Sequence, residues 1–399
     1  MRRIIRSSFR ASVIPLSGLV ASGLSSCGGD GSSSSGEQTL YSFANDANKD
    51  ALGGSELLQA GDGNFYGTTA LGGDSGDGTV FMITPTGAAT VLHSFTGAPA
   101  DGSGPTTSRL IQGADGNFYG TTGGGGANDF GAVYKLTPEG TVTILFSFAG
   151  GPADGKYTLA GLVQGTDGNF YGTTFDGGAN NRGVVFRLTP TGVETVLYSF
   201  GAAGSGDAIG LATALIEGSD GNFYGTSLDG GASNQGTVFS ITPAGVETVL
   251  HSFGKSGDGI QPLGRLTLGS DGALYGTTTD GGAHGHGMVF RLTPEGVETI
   301  LYSFTGAPRD GSFPEAGLLQ GQDGNFYGTT GFGGANNLGT VFKLTPGGVE
   351  TVLHSFAGAP GDGSQPEGTL VEGSDGNLYG TTYQGGANNV GAFFRIRPN

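Results

Sequence analysis

Seven aspartates, Asp50, Asp101, Asp154, Asp207, Asp258, Asp310 and Asp362, each follow a phenylalanine by five to seven residues. Carboxylates repeated at one place in a chain can serve two ends. Gathered around a common axis, they form a ring that holds cations, Ca2+ among them, or polar ligands, since hard cations take oxygen ligands. Kept apart, each accepts hydrogen bonds from its own backbone in a tight turn. The next residue is Gly in five of the seven copies, which favours the turn. Seven like charges facing one channel would also repel one another unless bound by cations. The seven positions are the candidate ligand or ion face, with turn formation as the favoured reading.

Other side chains offer less. His93, His251 and His354 occupy a position that holds Tyr41, Phe146, Tyr198 and Tyr302 in other copies, so an aromatic plate fits that position. His284 and His286 share one glycine-rich loop with Asp280 nearby. They are weak candidates for zinc or copper, because two ligands fall short of the sets these metals use. No nucleophile–base order, phosphate-binding glycine loop or zinc-helix motif is present. A glycosidase carboxylate pair is set by distance in space, so its absence from the spacing decides nothing. The residues that break the repeat are Lys156, Tyr157, Arg265, His284, His286 and Arg309. They define a site for the rival reading, a carbohydrate-active hydrolase or lyase.

The element that must position all of these is a repeat. Asp-Gly-Asn-Phe-Tyr-Gly-Thr-Thr begins at Asp62, and its Asp recurs at Asp115, Asp167, Asp220, Asp271, Asp323 and Asp375, at intervals of 53, 52, 53, 51, 52 and 52 residues. So regular a period marks a repeat architecture. In the third copy a short apolar run, Gly161-Leu162-Val163-Gln164, meets an Asp-Gly hairpin turn, which supplies the positive φ angles of two-residue loops. Phe170–Thr174, Val184–Leu188 and Glu194–Phe200 follow as strands, the last two joined by Thr189-Pro190-Thr191-Gly192, a type I turn. Four short antiparallel strands at this spacing make one propeller blade. The Asp62-type residues are explained by the turn, and the once-per-copy tyrosines (Tyr66, Tyr119, Tyr171, Tyr224, Tyr275, Tyr327, Tyr379) as core between blades rather than a sugar-stacking channel.

The chain ends predict closure. The last copy stops after its third strand at Phe393–Asn399, and the missing fourth strand stands at the other end as Gln38-Thr39-Leu40-Tyr41-Ser42-Phe43. Pairing them makes an all-β, seven-bladed β-propeller with four antiparallel strands per blade over residues 38–399, and it removes the open edges that template aggregation. Alternating strand direction places both long loops of each blade on one face and both short turns on the other.

The repeat resembles the GloVer-type tandem repeat of the bacterial "choice-of-anchor" proteins. The features are Asp-Gly-Asn-Phe-Tyr-Gly-Thr-Thr, the Gly-Gly-Ala-Asn-Asn loops at Gly333–Asn337 and Gly385–Asn389, Val-Phe-Lys-Leu-Thr-Pro at Val341–Pro346, and Val-Leu-His-Ser-Phe at Val352–Phe356. The resemblance implies a surface or secreted protein and no particular reaction. A looser similarity to kelch-type propellers carries only the four-strand blade, since the chain has no tryptophan. Propellers of this kind usually bind ligands on the long-loop face near the central channel.

Composition narrows the partners. The 399 residues carry a formal net charge of −17 and 84 glycines. Nucleic-acid binding needs a basic footprint, so no nucleic-acid partner is expected. The leader holds Arg2, Arg3, Arg6 and Arg10, then an apolar stretch too short and interrupted to span a membrane, and it reads as a signal peptide over residues 1–26. Leu24-Ser25-Ser26-Cys27 resembles a bacterial lipobox, implying lipid attachment at Cys27, the only cysteine. Residues 27–37 form a Gly/Ser tether. The near-identity of the copies favours a non-catalytic, lipid-anchored recognition or scaffold module at the outer membrane or cell surface. A monomer without cofactor is expected, with a glycan or protein as ligand. A purely structural envelope protein is the third reading.

Overall fold

The computed structural model describes residues 36–44, 50–51, 55–105, 109–202 and 206–398. The segment expected to be a signal peptide, Cys27 and the expected tether before residue 36 lie outside these residues. Seven antiparallel sheets, six of four strands and one of five, form a seven-bladed β-propeller. In the third blade the strands run from the inside outward as Val163–Gln164, Phe170–Thr173, Val184–Leu188 and Glu194–Ser199. The second and third strands pair Phe170 with Leu188 and Tyr171 with Arg187. The third and fourth carry a bulge, for Val185 faces Tyr198 while Phe186 faces Val196. The same register shift recurs in every blade, and a bulge strengthens local twist.

Closure is as the chain ends predict. Glu37–Ser42 is the outer strand of the last blade and pairs antiparallel with Ala392–Ile396. Phe43 N donates to Gly391 O at 3.0 Å, and Asn388 Nδ2 donates to Phe43 O at 3.1 Å.

The core lies between blades. Five second-strand tyrosines meet the first aromatic of the next blade's second strand, as in Tyr66 on Phe118 (4.2 Å), Tyr171 on Phe223 (3.9 Å), Tyr275 on Phe326 (4.1 Å) and, closing the ring, Tyr379 on Phe65 (4.4 Å), while Tyr224 and Tyr327 pack with Leu274 and Leu378. Each Phe that ends an outer strand packs edge-on against a third-strand ring of the following blade, Phe200 on Phe239 at 5.3 Å and Phe43 on Phe81 at 5.5 Å. These offset and edge-on geometries are the favoured ones. The Gly between the Tyr and the Thr pair is obligatory for room. A Cβ on Gly172 would stand 2.6 Å from Phe186 Cζ, so the third-strand ring lies across bare backbone.

One element has no counterpart in the sequence reading. The loop crossing into each blade forms a two-residue ladder with the loop after that blade's second strand, for example Gly155–Lys156 with Asp176–Gly177 and Gly311–Ser312 with Phe332–Gly333. Six ladders of two residues recur, and in the second blade the equivalent segment Gly102–Pro105 joins the sheet itself. The crossing loops are therefore tied down.

Candidate functional site

The aspartates that open the ladders sit at the outer-strand end of each blade. Asp310 Oδ2 accepts from Thr305 N (2.7 Å), Thr305 Oγ1 (2.9 Å) and Tyr302 Oη (2.9 Å), and Oδ1 accepts from Gly311 N (2.6 Å). Asp101 repeats this with Thr96 N, Gly102 N and His93 Nε2 at 3.0 Å. Asp362 does so with Ala357 N, Gly363 N and His354, and Asp258 with Gly259 N and His251. Asp207 takes Tyr198 Oη, Gly201 N and Ala208 N. The main-chain carbonyl also serves, since Gly334 N donates to Asp310 O at 2.8 Å. In all six copies with described side chains, both carboxylate oxygens are engaged within their own loop. Asp50 pairs with Gly72 at the backbone.

The plate position thus has a second duty. His or Tyr there donates to the ladder Asp wherever that Asp side chain is described, and Phe146 is the exception. Asp154, beside Phe146, keeps only Ala149 N (2.6 Å) and Gly155 N (2.7 Å), and burial pushes its carboxyl up. Burial acts on Asp101 too, yet the His93 hydrogen bond and the backbone donors hold it below the usual range. A ligand-binding carboxylate ring would gain stability on losing charge. These turns should lose it. Asp310→Ala is expected to cost about 2–4 kcal/mol, because it leaves buried donors unpaired, as measured by urea unfolding at pH 7.

The Asp62-type residues are also bound up locally. Asp62 Oδ1 accepts from Asn64 N (3.0 Å), and its Oδ2 accepts from Asn64 Nδ2 and Tyr66 Oη, each at 2.8 Å. This fixes the hydroxyl end of the stacked tyrosine on the short-turn face.

The blade-breaking residues do not converge as a group. Arg309 and His284 are exposed. Lys156 Nζ lies 5.8 Å over the Tyr157 ring. His286 packs edge-on to Phe313 at 6.4 Å, and neither it nor His284 belongs to a metal-sized group of three ligands among the described residues. Arg265 differs from these. Its Nε lies 3.8 Å from Glu56 Oε2, although these residues belong to the fifth and first blades. Non-adjacent blades meet only at the axis, so the pair marks the channel. Glu56 Oε1 also accepts from Thr369 Oγ1 of the seventh blade at 2.7 Å, and Arg109 of the second blade feels both Arg265 and Glu56.

Glu56, Arg109, Arg265 and Thr369 occupy one repeat position just before the inner strand, where other blades carry Gly161, Ala214 and Gly317. The Nε groups of Arg109 and Arg265 are buried without a hydrogen-bond partner. Two residues earlier in their blades, towards the long-loop face, stand Glu315 and Glu367. Burial chiefly, then Asp280, pushes Glu315 up to about 7, and crowding by the protein, then Glu315, pushes Glu367 up to about 8 although it still reaches solvent. Glu56, Arg109, Glu315 and Glu367 were missed in the sequence. Their signal was available, because this position varies in charge from blade to blade while its flanks repeat.

The Gloeobacter/Verrucomicrobia repeat matches residues 30–214 and 210–399. A comparison with curated proteins finds no match. Among solved structures the chain is similar to a streptogramin B lyase, with 16% identity, 91% of this chain and 97% of that chain covered, and a TM-score of 0.60. It is similar to virginiamycin B lyase from Staphylococcus aureus at 14% identity, 91% and 98% coverage and a TM-score of 0.59. It is also similar to a puromycin hydrolase at 13% identity, over 84% of this chain and 50% of that chain, with a TM-score of 0.53. At such identities the likeness is one of fold alone.

Proposed function

The chain belongs to the family of the Gloeobacter/Verrucomicrobia repeat, and from that premise we propose a recognition module that binds its ligand at the axial opening of the long-loop face. The observation that carries this reading is the broken symmetry of the axis. The ladder aspartates are consumed by their own loops, whereas Arg109 and Arg265 keep buried Nε groups without hydrogen-bond partners. Guanidinium donors suit planar oxyanions, so the ligand class is a glycan or peptide that carries a carboxylate. In this reading the propeller is a monomer, non-catalytic, exported, and held at the cell surface by a lipid on Cys27. The tether suits a domain that must reach outward.

A hydrolase or lyase at the same opening is the second reading. Glu315 and Glu367 support it, because carboxyls raised to about 7 and about 8 retain at neutral pH the proton that a general acid needs. Screening the soluble propeller against acidic glycans and surface peptides, with parallel assays of turnover, separates the two. Saturable binding without product supports recognition. Turnover that Glu367→Gln abolishes overturns it in favour of the enzyme, and neither binding nor turnover leaves the structural spacer.

A further inference from the structure

Between the outer strands of neighbouring blades the repeat brings together three side chains: a ladder Asp, the plate residue before it, and the residue that opens the next blade's outer strand. At the junction of blades four and five these are Asp258, His251 and Glu298. His251 Nε2 lies 3.2 Å from Asp258 Oδ2 and 3.6 Å from Glu298 Oε2. At the junction of blades six and seven they are Asp362, His354 and Glu37, with His354 Nε2 3.0 Å from Asp362 Oδ2. In each group the three candidate ligand atoms lie within 4.8 Å of one another. The geometry points to two equivalent binding sites for a divalent transition-metal ion such as Zn2+, one at each of these junctions.

Several observations converge on this. One imidazole nitrogen and two carboxylates are the donor set that zinc and its neighbours take, with bonds of about 2.1 Å. Tetrahedral bonds of that length separate ligand atoms by roughly 3.4 Å, and the His251 separations bracket that value. Ca2+ is disfavoured, because it takes six to eight oxygens. The charge is also unbalanced, since two carboxylates face one imidazole that carries at most a single positive charge. The Oε1 of Glu298 is buried without a hydrogen-bond partner, as are those of Glu194, Glu247 and Glu350 at other junctions, so what sets these two junctions apart is the imidazole that faces both carboxylates.

The other junctions are built-in controls. His93 and Asp101 lie 3.0 Å apart, but the third position holds Val142, which pairs with Leu136 as Glu350 pairs with Leu344. Where Glu194, Glu247 and Glu350 are present, the plate is Phe146, Tyr198 or Tyr302. Only two junctions carry the full set.

Zinc titration of the chelator-treated protein, followed by calorimetry, tests the assignment. Wild type should take up two Zn2+ per chain, His251→Tyr one, and His251→Tyr/His354→Tyr none. Tyr is native at this position and donates to its Asp in blades three and five, so both variants should melt at the wild-type temperature without metal. Val142→Glu should raise the stoichiometry to three. No uptake by wild type, or a stoichiometry that the double substitution leaves unchanged, would overturn the assignment.

Discussion

Deletion of residues 36–44 is expected to convert a cooperatively melting protein into a partly folded, aggregating chain. The segment contributes the outer strand of the last blade, so its loss strips Ala392–Ile396 of a partner and exposes a sheet edge. It also removes Phe43, which is 1% exposed and packs against Phe81 of the first blade. Truncating a buried Phe alone costs about 3–5 kcal/mol, against a total stability of roughly 5–15 kcal/mol for a domain. The loss falls where the ring closes. Circular dichroism melting and size-exclusion chromatography would read it, and a peptide of sequence Gly36–Ala44 added in trans should restore the monomer. A deletion variant that stays monomeric and melts at the wild-type temperature would contradict closure by this strand.

The second large effect is on the pH profile of stability. Burial chiefly raises Glu37, Glu194, Glu247, Glu298, Glu315 and Glu350 to about 7, and crowding by the protein, with the neighbouring Glu315 adding, raises the more exposed Glu367 to about 8, from an ordinary 4.5. The folded protein therefore binds more protons than the unfolded chain between about pH 4.5 and 8, and its stability falls as pH rises through that window. A tenfold difference in proton affinity between the folded and unfolded chain corresponds to about 1.4 kcal/mol, which solvent screening reduces at half-buried sites. Seven groups acting together still weigh heavily. At Asp62, Asp167, Asp220, Asp271 and Asp375 burial pulls the same way, but hydrogen bonds outweigh it and hold these carboxyls low. Their contribution is present above about pH 3.8 and is lost as pH falls further. Maximum stability is thus expected near pH 4–5, with a melting temperature higher at about pH 5 than at about pH 8.5 in metal-free buffer. The reverse order would show that the rim and axial glutamates are ordinary carboxylates.

Most of the fold was legible because each blade states it again. Asp-Gly turns, strand alternation and the displaced fourth strand are local signals, and seven repetitions leave little ambiguity. The tyrosines' place between blades was legible too, from their once-per-copy recurrence. The ladders were not, because a two-residue pairing between glycine-rich loops has no hydrophobic period. Nor was the double role of the plate. His and Tyr share a ring and a donor, and only the Asp154 junction, with Phe146, separates those two properties. Of the axial charges, Arg265 stood out as a residue that breaks the repeat, but its partners Glu56 and Arg109 did not, for a different reason. Glu56, Arg109 and Arg265 are far apart in sequence and meet only because a closed ring brings non-adjacent blades to one axis. Residues such as Arg309, His284 and Lys156 looked equally asymmetric but stand on the periphery of their own loops.

The axis, and not the aspartate turns, is where the ligand is expected to bind. The direct measurement is the binding isotherm of the best acidic glycan or peptide from the screen, taken with wild type, Arg109→Gln/Arg265→Gln and Asp310→Asn. At least a tenfold loss of affinity is expected in the arginine variant, and unchanged affinity in Asp310→Asn despite its lower stability. Undiminished binding by the arginine variant, or binding lost with Asp310, would contradict binding at the axis.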